Sequence, residues 1–313
     1  MDVTQLKTLI HVAELGSLSK AADRLNIVQP ALSRQVRMLE HELGVLLFER
    51  HGRGMVLTDV GRDIVAQATA VMAALDAIRD VAAGKDASYR GLVMVGAPPT
   101  VAEIATLPLV NRIREQHPDL SLRLLSGFSG HLLDWLHRGE VDVAVSYDPE
   151  ALRSVRIEPV MMEALLLVAP GDAGLSLDHP VPFARLAEHP LIMPSPRHGL
   201  RRILETCAKR AGVELKAQLE ADSFRAMVDL VRDGHGMTVL PLAPIFSMVE
   251  AGSLSVARLV DPSPSRKLVI AYPADRPVSP AAKFVGRTIV DIAADLVARG
   301  IWMGSMLTEK GAT

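Results

Sequence analysis

Through residue 86 the apolar residues recur at helical spacing; from Gly91 onward short apolar runs alternate with helical stretches. Leu6, Leu9, Ile10 and Ala13 line one face of a first helix, expected from about Thr4, a capable N-cap, to Glu14, with Gly16 as its stop. Ser17 can cap a second helix in which Ala21, Ala22 and Leu25 face inward. Pro30 suits the first turn of a third, where its missing N–H has no partner to lose. Leu32, Val36, Leu39 and Leu43 give that helix a buried stripe, Gln29, Ser33, Arg34 and Arg37 fall on its other side, and Gly44 ends it. Val28, just ahead of it, cannot cap, so Gln29 or solvent must satisfy its first N–H groups. Residues 46–57, LLFERHGRGMVL, read as a β-hairpin with a basic, glycine-rich tip. Thr58 caps a fourth, long helix to about Ala83. Its Ile64, Ala68, Val71, Leu75, Ile78 and Ala82 step by four and three, a heptad seam. A long helix can bury such a stripe on its own domain, but a narrow seam beside a domain boundary favours pairing of two chains.

The second part predicts strands at 92–97, 120–125, 141–145, 164–168, 191–193, 218–221, 238–240 and 268–272. Helices are expected at 101–116, 130–137 and 199–211, with a last one from about Pro280. Strand–helix alternation of this length implies parallel sheets with helices on their faces.

Composition narrows the picture little. The chain has 313 residues, 49% hydrophobic and 22% charged, with a net charge of -2, which excludes a mainly disordered chain. A small DNA-binding domain on a larger acidic one would give the same average. One cysteine, Cys207, excludes a disulfide framework and a cysteine-rich zinc module. The acidic start and the absence of any apolar run near ~20 residues imply neither export signal nor membrane span, and a cytoplasmic protein is expected.

Two short helices, then a third with a polar N-terminal face and a basic hairpin, make a winged helix-turn-helix. Ser17, Lys20, Gln29, Pro30, Ser33, Arg34 and Arg37 are its candidate DNA-contacting residues; Arg50 and Arg53 in the hairpin are suited to a minor groove or phosphate. These stretches carry a resemblance. GSLSKAA at 16–22, QPALSRQV at 29–36, Leu39-Glu40, Leu43-Gly44, LFER at 47–50 and LTDVG at 57–61 resemble the LysR-type transcriptional regulators in order and spacing. The resemblance implies a winged helix-turn-helix over 1–58, a dimerising linker helix over 59–87 and a two-lobed, periplasmic-binding-protein-like α/β effector domain over 90–306. Lobe I is expected over 91–161 and 268–306, lobe II over 162–267. SGHLLDW at 129–135 and PSPRHGLRR at 194–202 resemble the nitrogen-assimilation-control branch. A homodimer through the linker helix, a homotetramer and an operator that is an interrupted inverted repeat in double-stranded DNA are the partners implied.

In open α/β sheets ligands bind beyond the carboxyl ends of strands. That rule picks out loops with Thr100, with Phe128 and Ser129, with Ser195, Arg197 and His198, and with Ser223 and Phe224. Each hydroxyl precedes an expected helix, where free N–H groups favour an anion, and Arg197 and His198 add positive charge. Singly, each hydroxyl is equally an ordinary helix cap. Together they point to a small anionic effector, most simply a carboxylate. No cofactor or metal is expected, and enzymatic readings fare poorly. Gly127-Phe128-Ser129-Gly130 has His131 where a nucleophile elbow needs its last glycine, Gly234-His235-Gly236 lacks a third glycine, and Asp142 reads as structural. Two alternatives remain open: an enzyme on the binding-protein fold joined to a DNA-binding module, and a regulator with no small effector.

Overall fold

The structure, a computed structural model, describes residues 1–51, 54–83, 89–147 and 154–307. Helix α1 (Val3–Leu15) starts earlier than its sequence suggests, because Asp2, not Thr4, caps it. Asp2 accepts from the Gln5 N–H at 2.9 Å while the Gln5 side chain accepts from the Asp2 N–H, so two otherwise orphaned donors are satisfied at once. Ser17 caps α2 (Leu18–Leu25), and α3 (Gln29–Leu43) starts at Val28 with no side-chain cap. Leu9, Val12, Ala21, Leu32, Val36, Leu39 and Leu47 form the core of this domain. Two polar ties lock it: Thr8 Oγ1 donates to Gln35 Oε1 at 2.6 Å, and Glu40 Oε1 accepts from the Leu47 N–H at 2.9 Å.

Strands β1 (Phe48–His51) and β2 (Gly54–Leu57) pair antiparallel as the wing; Arg53 lies outside the described residues. The wing is pinned where the Met55 N–H donates to the Gly16 carbonyl at 2.9 Å. A Cβ on Gly54 (φ +133°) would stand 2.4 Å from that oxygen, so the approach requires glycine.

Helix α4 (Asp59–Ala83) is capped by the Thr58 hydroxyl, which accepts from the Gly61 N–H. Its apolar seam divides. Ile64 and Ala68 pack on the core of the winged helix, whereas Val71 is 45% and Ile78 66% exposed.

Next come β3 (Gly91–Ala97), α5 (Pro99–Gln116), β4 (Leu120–Ser126), α6 (Ser129–Arg138) and β5 (Val143–Tyr147), all three strands parallel. Then the chain leaves through β6 (Val155–Ala164) into a second lobe. That lobe holds β7 (Leu166–Pro170), β8 (Val181–Pro182), β9 (Leu191–Met193), α7 (Gly199–Ala211), β10 (Ala217–Glu220), α8 (Phe224–Arg232), β11 (Thr238–Leu240), α9 (Phe246–Glu250) and β12 (Leu254–Val260). It returns through β13 (Ser265–Pro273), α10 (Pro280–Ala298) and β14 (Gly304–Met306).

The first lobe's six-stranded sheet has the order β14-β6-β13-β5-β3-β4; the second lobe has a four-stranded sheet β11-β7-β12-β8 and a parallel pair β10-β9. The expectation of parallel sheets holds for β3, β4 and β5 and for β9 and β10, but not throughout: β13 runs antiparallel to both β5 and β6, and β7 pairs antiparallel with β11 and β12. The reason is the route of the chain, since β6 and β13 carry it out to the second lobe and back. The expected strand at 164–168 belongs to two strands, β6 and β7. Helices α5 and α10 cover one face of the large sheet and α6 the other, while the second lobe has its own core around Leu166, Phe183, Ile192 and Val228.

Candidate DNA interface and interlobe cleft

On the winged helix, Lys20, Gln29, Pro30, Arg34 and Arg37 are exposed and Ser33 is half-buried. Lys20 is on α2; Ser33, Arg34 and Arg37 lie on the side of α3 away from Leu32, Val36 and Leu39, which is what presentation to a groove requires. Arg37 Nε donates to the Ser33 carbonyl at 3.4 Å, and the Ser17 hydroxyl is engaged in capping α2, at 3.4 Å from the Lys20 N–H.

In the effector domain, β6 and β13 bring together a cluster that the sequence did not announce. Glu163 and Arg266 face each other in register and are 1% and 5% exposed. Arg266 Nε donates to Glu163 Oε2 at 2.5 Å, and Trp302 Nε1 donates to Glu163 Oε1 at 2.5 Å. The Arg266 guanidinium lies over the Tyr147 ring, 3.4 Å from its centroid, and its Nη2 donates to Thr100 Oγ1 at 3.3 Å. The Tyr147 hydroxyl sits 3.2 Å from Thr100 Oγ1 and 3.4 Å from Glu163 Oε1; its backbone N–H donates to Ser129 Oγ at 3.2 Å. Tyr147 thus links two of the expected effector-binding hydroxyls to the interlobe ion pair. Burial pushes its phenol well above the ordinary range, with Glu163 adding to the effect and Arg266 opposing it.

The second lobe meets this cluster through His198, whose ring is edge-on to Phe128 at 4.9 Å. Burial, with the Arg266 charge behind it, lowers the His198 pKa against the opposing pull of Asp222. The lowered pKa favours the neutral imidazole, against the expectation that it adds positive charge.

The four hydroxyls are not equivalent. Thr100 and Ser129 lie inside the first turns of α5 and α6, whose N-caps, Pro98 and Phe128, supply no side-chain cap. Ser223 caps α8 and His198, rather than Ser195, caps α7, its Nδ1 accepting from the Leu200 N–H at 3.1 Å. Ser195 lies in the preceding turn, its N–H bonded to Asp222 Oδ1 at 2.9 Å. Arg197 is exposed, and Phe224 packs on the second lobe's core. The structure therefore gathers Thr100, Phe128, Ser129 and His198 around Arg266, and gives Ser223 and Phe224 capping and packing duties. Glu163 left one trace in the sequence, as a lone charge within an apolar run, where burial demands a partner; Arg266, next to Lys267, left none.

Other candidates resolve as structural. Asp142 accepts from the Met94 N–H, and its own N–H donates to the Met94 carbonyl, both at 2.8 Å; burial, foremost, raises its pKa. Cys207 is buried in α7, and burial pushes its thiol up.

Residues 3–62 match the model of the bacterial regulatory helix-turn-helix proteins of the lysR family, and residues 86–292 match the LysR substrate-binding domain. The chain belongs to the LysR family. Like other members it is a DNA-binding transcriptional regulator with an effector-binding domain. It is 32% identical over 274 residues to a probable hydrogen peroxide-inducible genes activator of Mycobacterium leprae, covering 86% of this chain and 87% of that one. It is 30% identical over 297 residues to the nitrogen assimilation regulatory protein nac of Klebsiella aerogenes, covering 93% and 95%. Among solved structures, a cysteine-to-aspartate form of full-length OxyR from Pseudomonas aeruginosa superposes with a TM-score of 0.75 at 26% identity, covering 99% of each chain. Among the described residues, no helix of this LysR-family chain is long and apolar enough to cross a membrane.

Proposed function

We propose that this regulator binds an interrupted inverted repeat as a homo-oligomer and that a small anion, most simply a carboxylate, bound between the lobes tunes that binding. The observation that carries the ligand reading is the convergence on Arg266. Its Nη2 points at Thr100, and beside it lie the first turns of α5 and α6, whose N–H groups lack a side-chain cap. Because Glu163 balances the Arg266 charge, the ligand is recognised by oriented donors rather than by excess positive charge.

Some relatives are named hydrogen peroxide-inducible genes activators, but sensing through a disulfide is disfavoured by this chain's own chemistry. It has a single cysteine, buried and with a raised pKa, so no intrachain disulfide can form.

Two apolar surfaces support assembly. One is the half of the α4 seam with Val71 and Ile78 exposed and Leu75 half-buried; the other is Leu107 and Leu124, exposed on α5 and β4. A dimer of dimers needs two distinct self-complementary surfaces. The division assigned is 1–58 for DNA, 59–87 for pairing and 90–306 for the ligand, the lobes meeting at β6 and β13.

The test is thermal unfolding of the full-length protein with a panel of small carboxylates, each beside its amide. An acid that stabilises the wild type, and does so ten- to a hundredfold less effectively for Thr100→Val or Ser129→Ala, is expected from the loss of a charge-assisted hydrogen bond of ~1.5–3 kcal/mol. Stabilisation by amides alone, or by no acid, contradicts it.

A further inference from the structure

We propose that the first lobe docks within its own chain on the back of the linker helix and on the corner of the winged helix, and that this intrachain interface carries rearrangement of the effector domain to the wing. The inference rests on the reading of the chain as a ligand-tuned regulator, and adds the route by which the tuning reaches DNA.

Two contacts, on different elements, define the interface. Arg123 Nη2, on edge strand β4, donates to Glu14 Oε1 at 3.4 Å, across 109 residues of sequence. Glu14 Oε2 holds Arg24 Nη1 at 3.2 Å, and His11 Nδ1 lies 3.6 Å from it. The second contact is at the end of α6. Gly139 (φ +76°) is its left-handed C-cap, and a Cβ there would lie 3.6 Å from the Ala66 carbonyl of α4. Arg276 seals the same corner, donating to the carbonyls of Leu136 at 2.6 Å and His137 at 3.4 Å, a cation on a helix C-terminus. Thr69 and Ala70 of α4 wall a cavity of about 20 Å³ there together with Arg276 and Val278.

The face of α4 used for this is not its seam. At ~100° per residue, Ala66, Thr69 and Ala70 point about half a turn away from Val71, Leu75 and Ile78. One side of the helix is small-residued and carries the lobe; the other is apolar and remains for a second chain. Both can be occupied at once, so docking and dimerisation do not compete.

The interface reaches the DNA-binding surface at one junction. Glu14 stands two residues before Gly16, whose carbonyl receives the Met55 N–H from β2, and three before Ser17, which caps α2. A pull on Glu14 therefore acts on the wing's base and on the helix carrying Lys20. A lone exposed ion pair is weak and salt-screened. Here it is one of two anchors, and the packing of the Gly139 and Arg276 corner against Thr69 and Ala70 of α4 is the salt-insensitive one.

The test uses the full-length protein without added ligand, so its outcome is independent of the effector's identity. In a Cys207→Ser background, Ala70→Cys and Val278→Cys are bridged with a short bis-maleimide. The expected product is a bridge within one chain, formed several-fold more slowly in Arg123→Glu and at the wild-type rate in Arg123→Lys. Footprints of the same variants, without the added cysteines, on the operator should show altered wing protection for Arg123→Glu only. Bridges solely between chains overturn the docking; equal rates and identical footprints for Arg123→Glu and wild type overturn the transmission. Loss of the carboxylate response in the wild type, with these results intact, would sink the ligand reading and leave the interface standing.

Discussion

Glu163 and Trp302, 139 residues apart in sequence, are joined by a 2.5 Å hydrogen bond from the indole Nε1 to the carboxylate Oε1. The bond fixes the chain beyond α10 to the strand pair that crosses between the lobes, and orients the carboxylate so that its other oxygen meets Arg266. Breaking a buried pair by removing one partner leaves an uncompensated charge. Glu163→Leu should therefore lose about 3–5 kcal/mol in urea unfolding, and Glu163→Leu/Arg266→Met should recover a substantial part. A double variant no more stable than the single one would show that the stranded Arg266 charge is not the cause.

Ile78→Glu and Leu75→Glu should weaken the dimer by putting a charge into the seam. Ile78 is exposed in the protomer, so its substitution should leave the unfolding of the isolated protomer unchanged while sedimentation shows dissociation at higher concentration. Wild-type association in both variants would assign the seam to the protomer's own packing.

The boundary of what the sequence discloses falls between local and long-range order. The winged helix was legible because each of its signals is local: Ser17 caps within three residues, and Leu32, Val36 and Leu39 repeat along one helix. So were β9, α7 and β11, found at their sequence-predicted bounds. The antiparallel crossing of β6 and β13 was not, because pairing Glu163 with Arg266 depends on contacts about a hundred residues apart. The same holds for the candidate site. Thr100 and Ser129 were picked out as candidates by the rule for strand ends, whereas Tyr147, which connects them, has no motif. The expected caps misled for the opposite reason: Thr100 and Ser129 fall one or two residues into their helices, where their hydroxyls serve tertiary partners instead.

Arg34→Ala should weaken specific operator binding by ~1–3 kcal/mol without loss of stability, as expected for an exposed residue that reads a base. Arg53→Ala should instead weaken all sequences alike and flatten the salt dependence by about one ion. Titrations of operator and unrelated DNA at several salt concentrations distinguish the two. Equal affinity of Arg34→Ala and wild type for the operator refutes the reading role.

His198 gives a pH prediction with a definite sign. Its pKa is lowered in the folded protein, chiefly by burial, so the unfolded chain binds the proton more readily. Stability is therefore retained above about 6.5, the unfolded value, and lost as pH falls through the folded pKa. His117 is shifted in the same direction by burial and adds to the trend. His198→Gln should make the fall in melting temperature between about pH 7 and pH 5 shallower than in wild type. An unchanged slope would place His198 in solvent.

The most direct measurement is genome-wide footprinting in the living cell, where the natural effector is present, for the wild type and for Thr100→Val/Ser129→Ala. Both proteins are expected at the same interrupted inverted repeats, protected with two-fold symmetry, with a different extent of protection at each site in the variant. Identical footprints would remove the interlobe cleft from the regulation, and protection without dyad symmetry would contradict the paired, DNA-reading assembly itself.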